Sequence, residues 1–314
     1  MLAPIVLFVY NRPRHTLQTL EALRKNDLAD ESKLYIYSDG PNESAEEDTL
    51  LKIKQTREII KSKQWCKEVI IIEKDKNAGL ADSIVNGVTD IINIHGKIII
   101  LEDDIITSSG FLSYMNQALN LYENEKKVMH ISGYMYPLKL KKSTSLFLNV
   151  VTPWGWGTWK DRWQFYDNDA NNLLKKLKNV DFFNQTDFNA GFGNEFYNQL
   201  IANADEKLKT WAVKWHSSIF LKRGFCLHPA QSLVNNIGFD NSGTNCESNK
   251  FYQISKLKKK VLIIKIPITK DNDALKKFQK FYLKIIKSNN SHFNILKLIK
   301  QIGKKIAHKI IISN

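Results

Sequence analysis

The sequence predicts an α/β fold, in which helices flank a mostly parallel, doubly wound, twisted sheet. Four short apolar runs that favour strands lie in the first hundred residues, and segments with helical spacing of apolar residues separate them. Three of these runs end directly in polar residues, as strands do at the ligand-binding edge of such a sheet. The length of 314 residues, with 43% hydrophobic and 25% charged residues, fits one large globular domain or two small ones.

The predicted elements of the first half alternate between strands and helices. Residues 5–10 form an apolar run without polar alternation, which is typical of a central parallel strand buried on both faces. The elements that follow it are a helix near 14–24, strand 33–38, helix 46–63, strand 68–73, a helix from 77 to about 92, and strand 97–101. After residue 104 the pattern changes to a helix at 110–124, a strand at 128–132 and Trp-, Gly- and Asn-rich stretches.

The excess positive charge lies in the C-terminal tail. The chain has a net charge of +14, and residues 251–314 account for all of it with 16 Lys, no Arg and two acids. Two apolar stripes flanked by lysines predict an amphipathic helical tail that docks on an anionic membrane surface. A helix packed on the body and an oligomer contact are the alternatives. Because Arg is absent from the tail, a nucleic-acid partner is disfavoured. The stripes are Phe278, Phe281, Tyr282, Ile285 and Ile286, then Ile295, Leu298, Ile299, Ile302, Ile306 and Ile310.

The cysteines and the N-terminus predict a cytoplasmic protein. Cys66, Cys226 and Cys246 are odd in number and form no CxxC pair, which favours reduced thiols over a zinc site or a disulfide framework. The apolar N-terminal run is too short for a signal peptide or a membrane span. Together with the basic tail, these features predict a protein peripherally associated with the inner face of the cell membrane.

Three predicted strand ends carry the candidate site. Asn11-Arg12 follows the first strand, Ser38-Asp39-Gly40 the second, and Glu102-Asp103-Asp104 the fourth. Three adjacent carboxylates repel one another, and a divalent cation such as Mn²⁺ or Mg²⁺ would compensate them. A solvated acidic turn is the alternative. Dinucleotide-binding and P-loop sites are disfavoured, since neither glycine fingerprint occurs.

These stretches resemble the GT-A-fold (Rossmann-like) nucleotide-sugar glycosyltransferases, especially the N-acetylglucosaminyltransferase I-like enzymes and the bacterial glycosyltransferases of polysaccharide gene clusters. The resemblance covers about residues 4–246 with its motifs in the expected order: 4–13, 38–40, 77–80, 99–104, 153–163 and 232–239. It implies that Asp104 binds the metal that bridges the donor diphosphate, with Asp103 at the ribose or a metal-bound water. The other implied roles are Glu102 at the donor sugar hydroxyls, Asp39 at a uracil-type base, Arg12 at the diphosphate, and Asn77 and Gly79 lining the nucleotide pocket.

The catalytic base is not carried over by this resemblance. An inverting transfer requires a carboxylate that takes the proton of the acceptor hydroxyl, but the Trp-Asp-Asp-Trp-like stretch of the eukaryotic relatives corresponds here to Trp211-Ala212-Val213-Lys214-Trp215. Asp161 is the first substitute and Asp240 the second, although ion pairing and turn chemistry explain them equally well. His216 and His228 would serve as base or metal ligand, or as hydrogen-bonded core residues. Asn245 replaces the His of bacterial relatives, which disfavours a metal ligand there. Trp154, Trp156, Trp159 and Trp163 would stack on sugars or pack in the core.

The sequence therefore predicts a bacterial, metal-dependent glycosyltransferase that transfers a hexosyl or N-acetylhexosaminyl group. It would take the sugar from a nucleotide donor, expected to be a UDP-sugar, to a glycan or lipid-linked oligosaccharide in surface polysaccharide synthesis, with inversion. Residues 1–125 would bind the nucleotide sugar, 126–250 would bind the acceptor, and 251–314 would contact the membrane. The alternatives are a catalytically weak or inactive scaffold of the same fold at the membrane, and a sugar-phosphate nucleotidyltransferase, which would normally carry a Gly-rich loop with a Lys near the N-terminus.

Overall fold

The computed structural model describes residues 1–142, 144–191, 193–240 and 250–285. The strands in these residues are β1 (Ile5–Val9), β2 (Lys33–Ser38), β3 (Glu68–Glu73), β4 (Lys97–Glu102), β5 (Ile105–Thr107), β6 (Val128–Ser132), β7 (Ser145–Leu148), β8 (Trp156–Trp159), β9 (Phe225–Pro229) and β10 (Val234–Asn236). The helices are α1 (Pro13–Arg24), α2 (Glu47–Lys61), α3 (Leu80–His95), α4 (Phe111–Leu121), α5 (Lys160–Trp163), α6 (Ala170–Lys178), α7 (Gln185–Phe188), α8 (Glu195–Ala204) and α9 (Ala212–Leu221). Residues 272–285 form a further helix.

In the described part of the chain, eight strands form one largely parallel sheet in the order β3-β2-β1-β4-β8-β6-β9-β7. The four strands β3, β2, β1 and β4 are parallel to one another, whereas β8 runs antiparallel to both of its neighbours and β7 runs antiparallel to β9. Strands β5 and β10 form a separate antiparallel pair. The predicted α/β class with a mostly parallel sheet is confirmed.

The central strand β1 is buried on both faces, which explains why its sequence shows no polar alternation. Ile5, Leu7 and Val9 point into one apolar layer together with residues of α1 and α4. Val6 and Phe8 point into the opposite layer, which α3 and α9 cover. Helices therefore pack on both faces of the sheet. The polar residues lie at the carboxyl ends of its strands.

The Trp- and Gly-rich stretch contains the buried strand β8. A Cβ atom at Gly157 would lie 2.8 Å from the carbonyl oxygen of Ile98 on β4, so glycine permits this close pairing. Trp156, Trp159 and Trp163 are buried at 4% exposure or less, whereas Trp154 is half-buried. Core packing thus accounts for three of the four Trp that were candidates for sugar stacking.

The first part of the basic tail packs against the body. In the helix 272–285, Phe278 and Ile285 are buried, and Phe278 belongs to an apolar cluster with Leu146 and Leu148 of β7. The main-chain N–H of Asp271 donates to the carbonyl oxygen of Phe147 at 2.9 Å. The prediction that this apolar stripe faces a membrane is therefore corrected to the packed-helix alternative. Ile286 and the stripe that begins at Ile295 lie outside the described residues.

Two further features of the described residues concern the length of the helices and the state of the cysteines. No helix in the described ranges is long and apolar enough to span a bilayer. Cys66 and Cys226 are buried free thiols, and burial raises the pKa of the Cys66 thiol to about 12. Cys246 lies outside the described residues. Both thiols described are thus far less ionised at neutral pH than an exposed cysteine.

Candidate functional site

Three neighbouring strands bring the predicted polar groups to one edge of the sheet. Strand β1 pairs in parallel with β2 on one side and with β4 on the other, so that Val9 lies beside Ser38 and Phe8 beside Glu102. Arg12 and Asp39 therefore follow strands that end beside the acidic triplet, which begins at the last residue of β4. The expectation that these strand ends meet is confirmed.

Arg12 forms ion pairs with two carboxylates of the triplet. Its Nη2 lies 3.0 Å from Asp104 Oδ2 and also contacts Asp103 Oδ1, and its Nε lies 3.3 Å from Asp103 Oδ2. Asp103 and Asp104 are only 4% and 5% exposed. In this structure Arg12 therefore partly neutralises the two carboxylates, while its implied contact with a diphosphate stays a prediction.

The triplet holds more negative charge than Arg12 compensates. Burial, followed by repulsion from Asp104 and Asp103, raises the pKa of the Glu102 carboxyl far above its usual range. Burial also raises the pKa of Asp103, although Arg12 opposes the shift. Hard carboxylate oxygens with uncompensated charge are the donor set that Mg²⁺ and Mn²⁺ prefer.

The triplet would hold such a cation with few protein ligands. Within the described residues, no group of three or more His, Cys, Asp or Glu is arranged to hold a metal ion by itself. Mg²⁺ is usually bound by one or two carboxylates and completes its coordination with water and substrate phosphates. Asp104, with Asp103 beside it, would suit a cation that takes its remaining ligands from water and a phosphate group.

Asp39 holds the loop that begins α3. Its carboxylate accepts from the main-chain N–H groups of Gly40 at 3.0 Å, Ala78 at 3.0 Å and Gly79 at 3.1 Å, and from Ser83 Oγ at 3.3 Å. These donors occupy the lone pairs that a carboxylate offers. The structure thus gives Asp39 a positioning role, and its contact with a base stays a prediction.

Asn77 and Gly79 lie in the loop that Asp39 fixes. Asn77 Nδ2 donates to the carbonyl oxygen of Gly40 at 3.0 Å. Gly79 has φ of 79°, a conformation that favours glycine, and a Cβ there would meet open space. Tyr10, which the motif analysis did not single out, adds a half-buried ring whose hydroxyl interacts with Asn77. The sequence signals that mark it are its place within the motif 4–13 and its position one residue beyond β1.

The loop after β10 packs against the triplet and also carries Asp240. The main-chain N–H of Ile237 donates to the carbonyl oxygen of Asp104 at 2.9 Å. A Cβ at Gly238 would overlap Asp104 Oδ2, so this backbone lies directly against the carboxylate. His15 Nε2 is 3.0 Å from Asp240 Oδ2, and the Asp240 side chain is 49% exposed. Asn245 lies outside the described residues.

Asp161 lies at the opposite edge of the sheet. Trp159 of the antiparallel strand β8 pairs with Lys97, the first residue of β4, whereas Glu102 is the last residue of β4. At 3.3 Å per residue, the length of β4 separates Asp161 from the triplet by about 17 Å. Asp161 instead contacts Lys126 and lies 2.5 Å from Arg162 Nη1. The geometry excludes Asp161 from the triplet's site, because β8 runs antiparallel to β4 and ends beside the first residue of β4.

The candidate histidines are buried core residues. His216 Nε2 lies 2.8 Å from the carbonyl oxygen of Phe188, and His228 Nε2 lies 3.0 Å from that of Val150. Burial lowers the pKa of both rings to about 4, and that of the neighbouring His130 to about 3. Hydrogen bonding to main-chain carbonyls in the core is the role that the structure supports.

These three neutral histidines predict a loss of stability in mild acid. An unfolded His titrates near pH 6.5, so below that pH the unfolded chain binds protons that the folded chain does not take up until about pH 4. The free energy of unfolding should fall by about 1.4 kcal/mol per pH unit for each such His across this window. Urea unfolding at pH 7.5, 6 and 5 measures it. His216→Gln, which can still donate to Phe188, should show a shallower loss, and an equal slope in both proteins would contradict this account.

Comparison with known proteins finds little close similarity. No protein-family model matches the chain, and no curated protein matches it. Structural comparison finds a crystal structure of S. aureus TarS with 12% identity and a TM-score of 0.37, covering 74% of this chain and 36% of that chain. The structure of S. aureus TarS 1–349 has 12% identity and a TM-score of 0.35, covering 74% and 60%. The chain thus spans only about a third of the longer structure. A similarity of this size carries no argument about function.

Proposed function

We propose that this chain is a glycosyltransferase that uses a nucleotide-sugar donor and a divalent cation, Mn²⁺ or Mg²⁺. The observation that carries this proposal is the convergence of Arg12, Asp103 and Asp104 at the carboxyl edge of the sheet, beside the loop that Asp39 fixes. A diphosphate requires concentrated positive charge, and its nucleoside requires a neighbouring polar pocket. The charged cluster and the loop that Asp39 fixes lie next to each other at the ends of β1, β2 and β4.

The acidic triplet and Arg12 divide the charge between them. Asp104, with Asp103, would hold the cation, which supplies positive charge to the departing nucleoside diphosphate. Arg12 provides a second positive charge at the same place. Glu102 lies at the end of β4 beside this pair, and in the proposed enzyme it faces the hydroxyls of the donor sugar.

The loop from Asn77 to Gly79 would line the nucleoside site, with Tyr10 beside Asn77. Asn77 and Tyr10 offer an amide and a hydroxyl, and Gly79 leaves open space above the start of α3. UDP is the nucleotide we expect, from the family resemblance of these motifs. Asp39 acts by holding the loop.

Asp240 is the carboxylate that we assign as general base for an inverting transfer. It is half-exposed, it follows Gly238, which packs against Asp104, by two residues, and its partner His15 orients it. Asp240→Asn should lower kcat by about a hundredfold or more and leave nucleotide binding unchanged. Steady-state kinetics with a nucleotide titration measure both quantities, and an unchanged kcat would remove Asp240 from this role.

Nucleotide binding tests the proposed function. Thermal unfolding is measured with UDP, GDP, dTDP and CMP, each with and without Mn²⁺, and with Mn²⁺ alone. A ligand at 100 times its Kd stabilises the folded state by about 2.7 kcal/mol, which is easily detected. Stabilisation by UDP that requires Mn²⁺ supports the proposal. The absence of any shift would contradict it and would favour a scaffold protein of this fold.

A lysine-rich segment would bring the protein to anionic membranes. In residues 256–265, Leu262 is 61% and Ile264 is 47% exposed, and four exposed lysines precede them. Each lysine near an anionic surface contributes about 1 kcal/mol. Replacing Lys258, Lys259 and Lys260 with Gln should weaken binding to phosphatidylserine vesicles by roughly a hundredfold.

A charge-matched control separates this effect from net charge. Replacing Lys175, Lys176 and Lys178 of α6 with Gln removes the same three charges from another surface. Vesicle sedimentation of both variants, with neutral phosphatidylcholine vesicles as reference, decides the matter. Equal binding by the two variants would contradict docking through residues 256–265.

A further inference from the structure

Three half-buried aromatic rings lie together near the triplet. We name this group the aromatic shelf; its members are Trp154, Phe239 and Tyr252. The ring centroid of Phe239 lies 5.4 Å from that of Trp154 and 5.4 Å from that of Tyr252. Phe239 and Tyr252 are stacked at 25°, while Trp154 meets Phe239 nearly at right angles. Three side chains distant in sequence thus meet at one partly exposed place.

Contacts with buried residues fix the rings of the shelf in place. Tyr134 is fully buried, its ring contacts Trp154 at 4.5 Å, and its hydroxyl donates to the carbonyl oxygen of Tyr252 at 3.1 Å. The main-chain N–H of Ile254 also donates to Asn235 Oδ1 at 2.9 Å. The rings are therefore fixed before a ligand arrives, which lowers the entropic cost of binding.

The shelf lies on the side of β4 away from the loop that contains Asn77 and Gly79. Asp39 follows β2, the acidic triplet follows β4, and Trp154 leads into β8, which is the next strand of the sheet. Phe239 follows Gly238, whose backbone contacts Asp104. In the proposed enzyme the nucleoside lies on one side of the triplet and its diphosphate lies at the triplet. The shelf is on the other side, where the acceptor would bind.

The chemistry of the shelf suits a sugar ring. Aromatic faces pack against the C–H face of a pyranose, and small-ligand sites combine such faces with a few placed polar groups. Asp240 directly follows Phe239 and its side chain is 49% exposed, so the chain places a carboxylate next to the shelf.

We propose that the aromatic shelf binds a sugar ring of the acceptor and presents its hydroxyl to Asp240. This assignment rests on the proposed function. It makes Tyr252, from the segment that follows residue 249, a part of the acceptor site. The first part of the C-terminal segment therefore completes the site in addition to covering the body.

The test uses methyl glycosides of glucose, galactose and N-acetylglucosamine as probes. Saturation-transfer NMR on the full chain with UDP and Mn²⁺ should show contact with the ring protons of at least one probe. Tyr252→Leu, which keeps apolar volume without an aromatic face, should weaken this binding by about tenfold, and Tyr252→Phe should restore it. Phe165 is a half-exposed ring near Asp161, far from the shelf. The Phe165→Ala variant should bind the probe as the unmodified protein does.

Each outcome has one meaning. Loss of the probe signal in Tyr252→Leu with unchanged UDP binding supports the acceptor assignment. No signal with the unmodified protein, or an equal signal in Tyr252→Leu, overturns it. Displacement of the probe by UDP-glucose or UDP-N-acetylglucosamine but not by UDP would place the donor's sugar on the shelf and also overturn it. Failure of UDP with Mn²⁺ to bind the unmodified protein would instead contradict the proposed function.

Discussion

Asp104→Asn is expected to abolish Mn²⁺-dependent stabilisation by UDP and to lower transfer by about 10³-fold. The substitution keeps the size of the side chain and removes the charge that would hold the cation. It also removes one of three crowded carboxylates, while Arg12 keeps Asp103 as a partner. The free energy of unfolding without ligand should therefore stay within about 1 kcal/mol of the original value. Thermal unfolding with and without nucleotide measures both effects.

Asp161→Asn is the matched control and should show the opposite pattern. It breaks the ion pairs of Asp161 with Lys126 and with the buried guanidinium of Arg162. Stability should therefore fall, by about 1–3 kcal/mol, while nucleotide binding stays unchanged because the site lies at the other edge of the sheet. Normal UDP binding by Asp104→Asn would remove the triplet from the proposed cation site.

Gly238→Ala should reduce nucleotide binding and transfer by about a hundredfold. The new methyl group would overlap Asp104 Oδ2 and lie 3.0 Å from Arg12 Nη1, so one of the two groups must move. Displacement by about 1 Å at a reacting centre is enough for a loss of this size. Isothermal titration with UDP and Mn²⁺ measures the loss in affinity, and kinetics measure the loss in transfer.

Gly224→Ala provides the corresponding control far from the triplet. Its methyl group would meet the Met129 side chain, at 2.6 Å from Sδ, in the core beside α9. Overpacking of this kind costs about 1–3 kcal/mol of stability, but it leaves the strand ends unchanged. If Gly238→Ala bound UDP as tightly as Gly224→Ala does, the close contact at Asp104 would have no functional weight.

The elements of the first half follow from local sequence. Strand β2 is predicted at its observed bounds, and α1 and α2 differ from prediction by one or two residues at their ends. Apolar runs and helical spacing decide these elements within a few residues of chain. Strand β8 was missed because a Trp-Gly alternation looks like a loop, and only its pairing with β4 makes it a strand.

The site was predictable only as far as the strand ends. Parallel pairing of β1, β2 and β4 brings Arg12, Asp39 and Asp104 together by a general rule of such sheets. The choice between Asp161 and Asp240 depends on the direction of β8, which no local pattern reveals. Tyr252 joins the shelf through contacts across more than a hundred residues of chain, and these are equally invisible in the sequence.

For the C-terminal tail, the amphipathic pattern predicts a helix but does not identify the surface on which that helix packs. Its apolar stripe at Phe278 and Ile285 fits a membrane surface and a protein surface equally well, because both bury the same side chains. The apolar surface of β7 and its neighbours decided the outcome.

The ion pairs of Arg12 have a consequence for the order in which ligands arrive. In the free protein an internal counter-ion already occupies the carboxylates, so a bare cation finds its attraction to them partly cancelled. A cation that enters with a nucleoside diphosphate brings an anion for Arg12, so that after the exchange both Arg12 and the carboxylates have a partner of opposite charge. Mn²⁺ alone should then leave the melting temperature unchanged, and the metal and the nucleotide should bind as one unit, each strengthening the other.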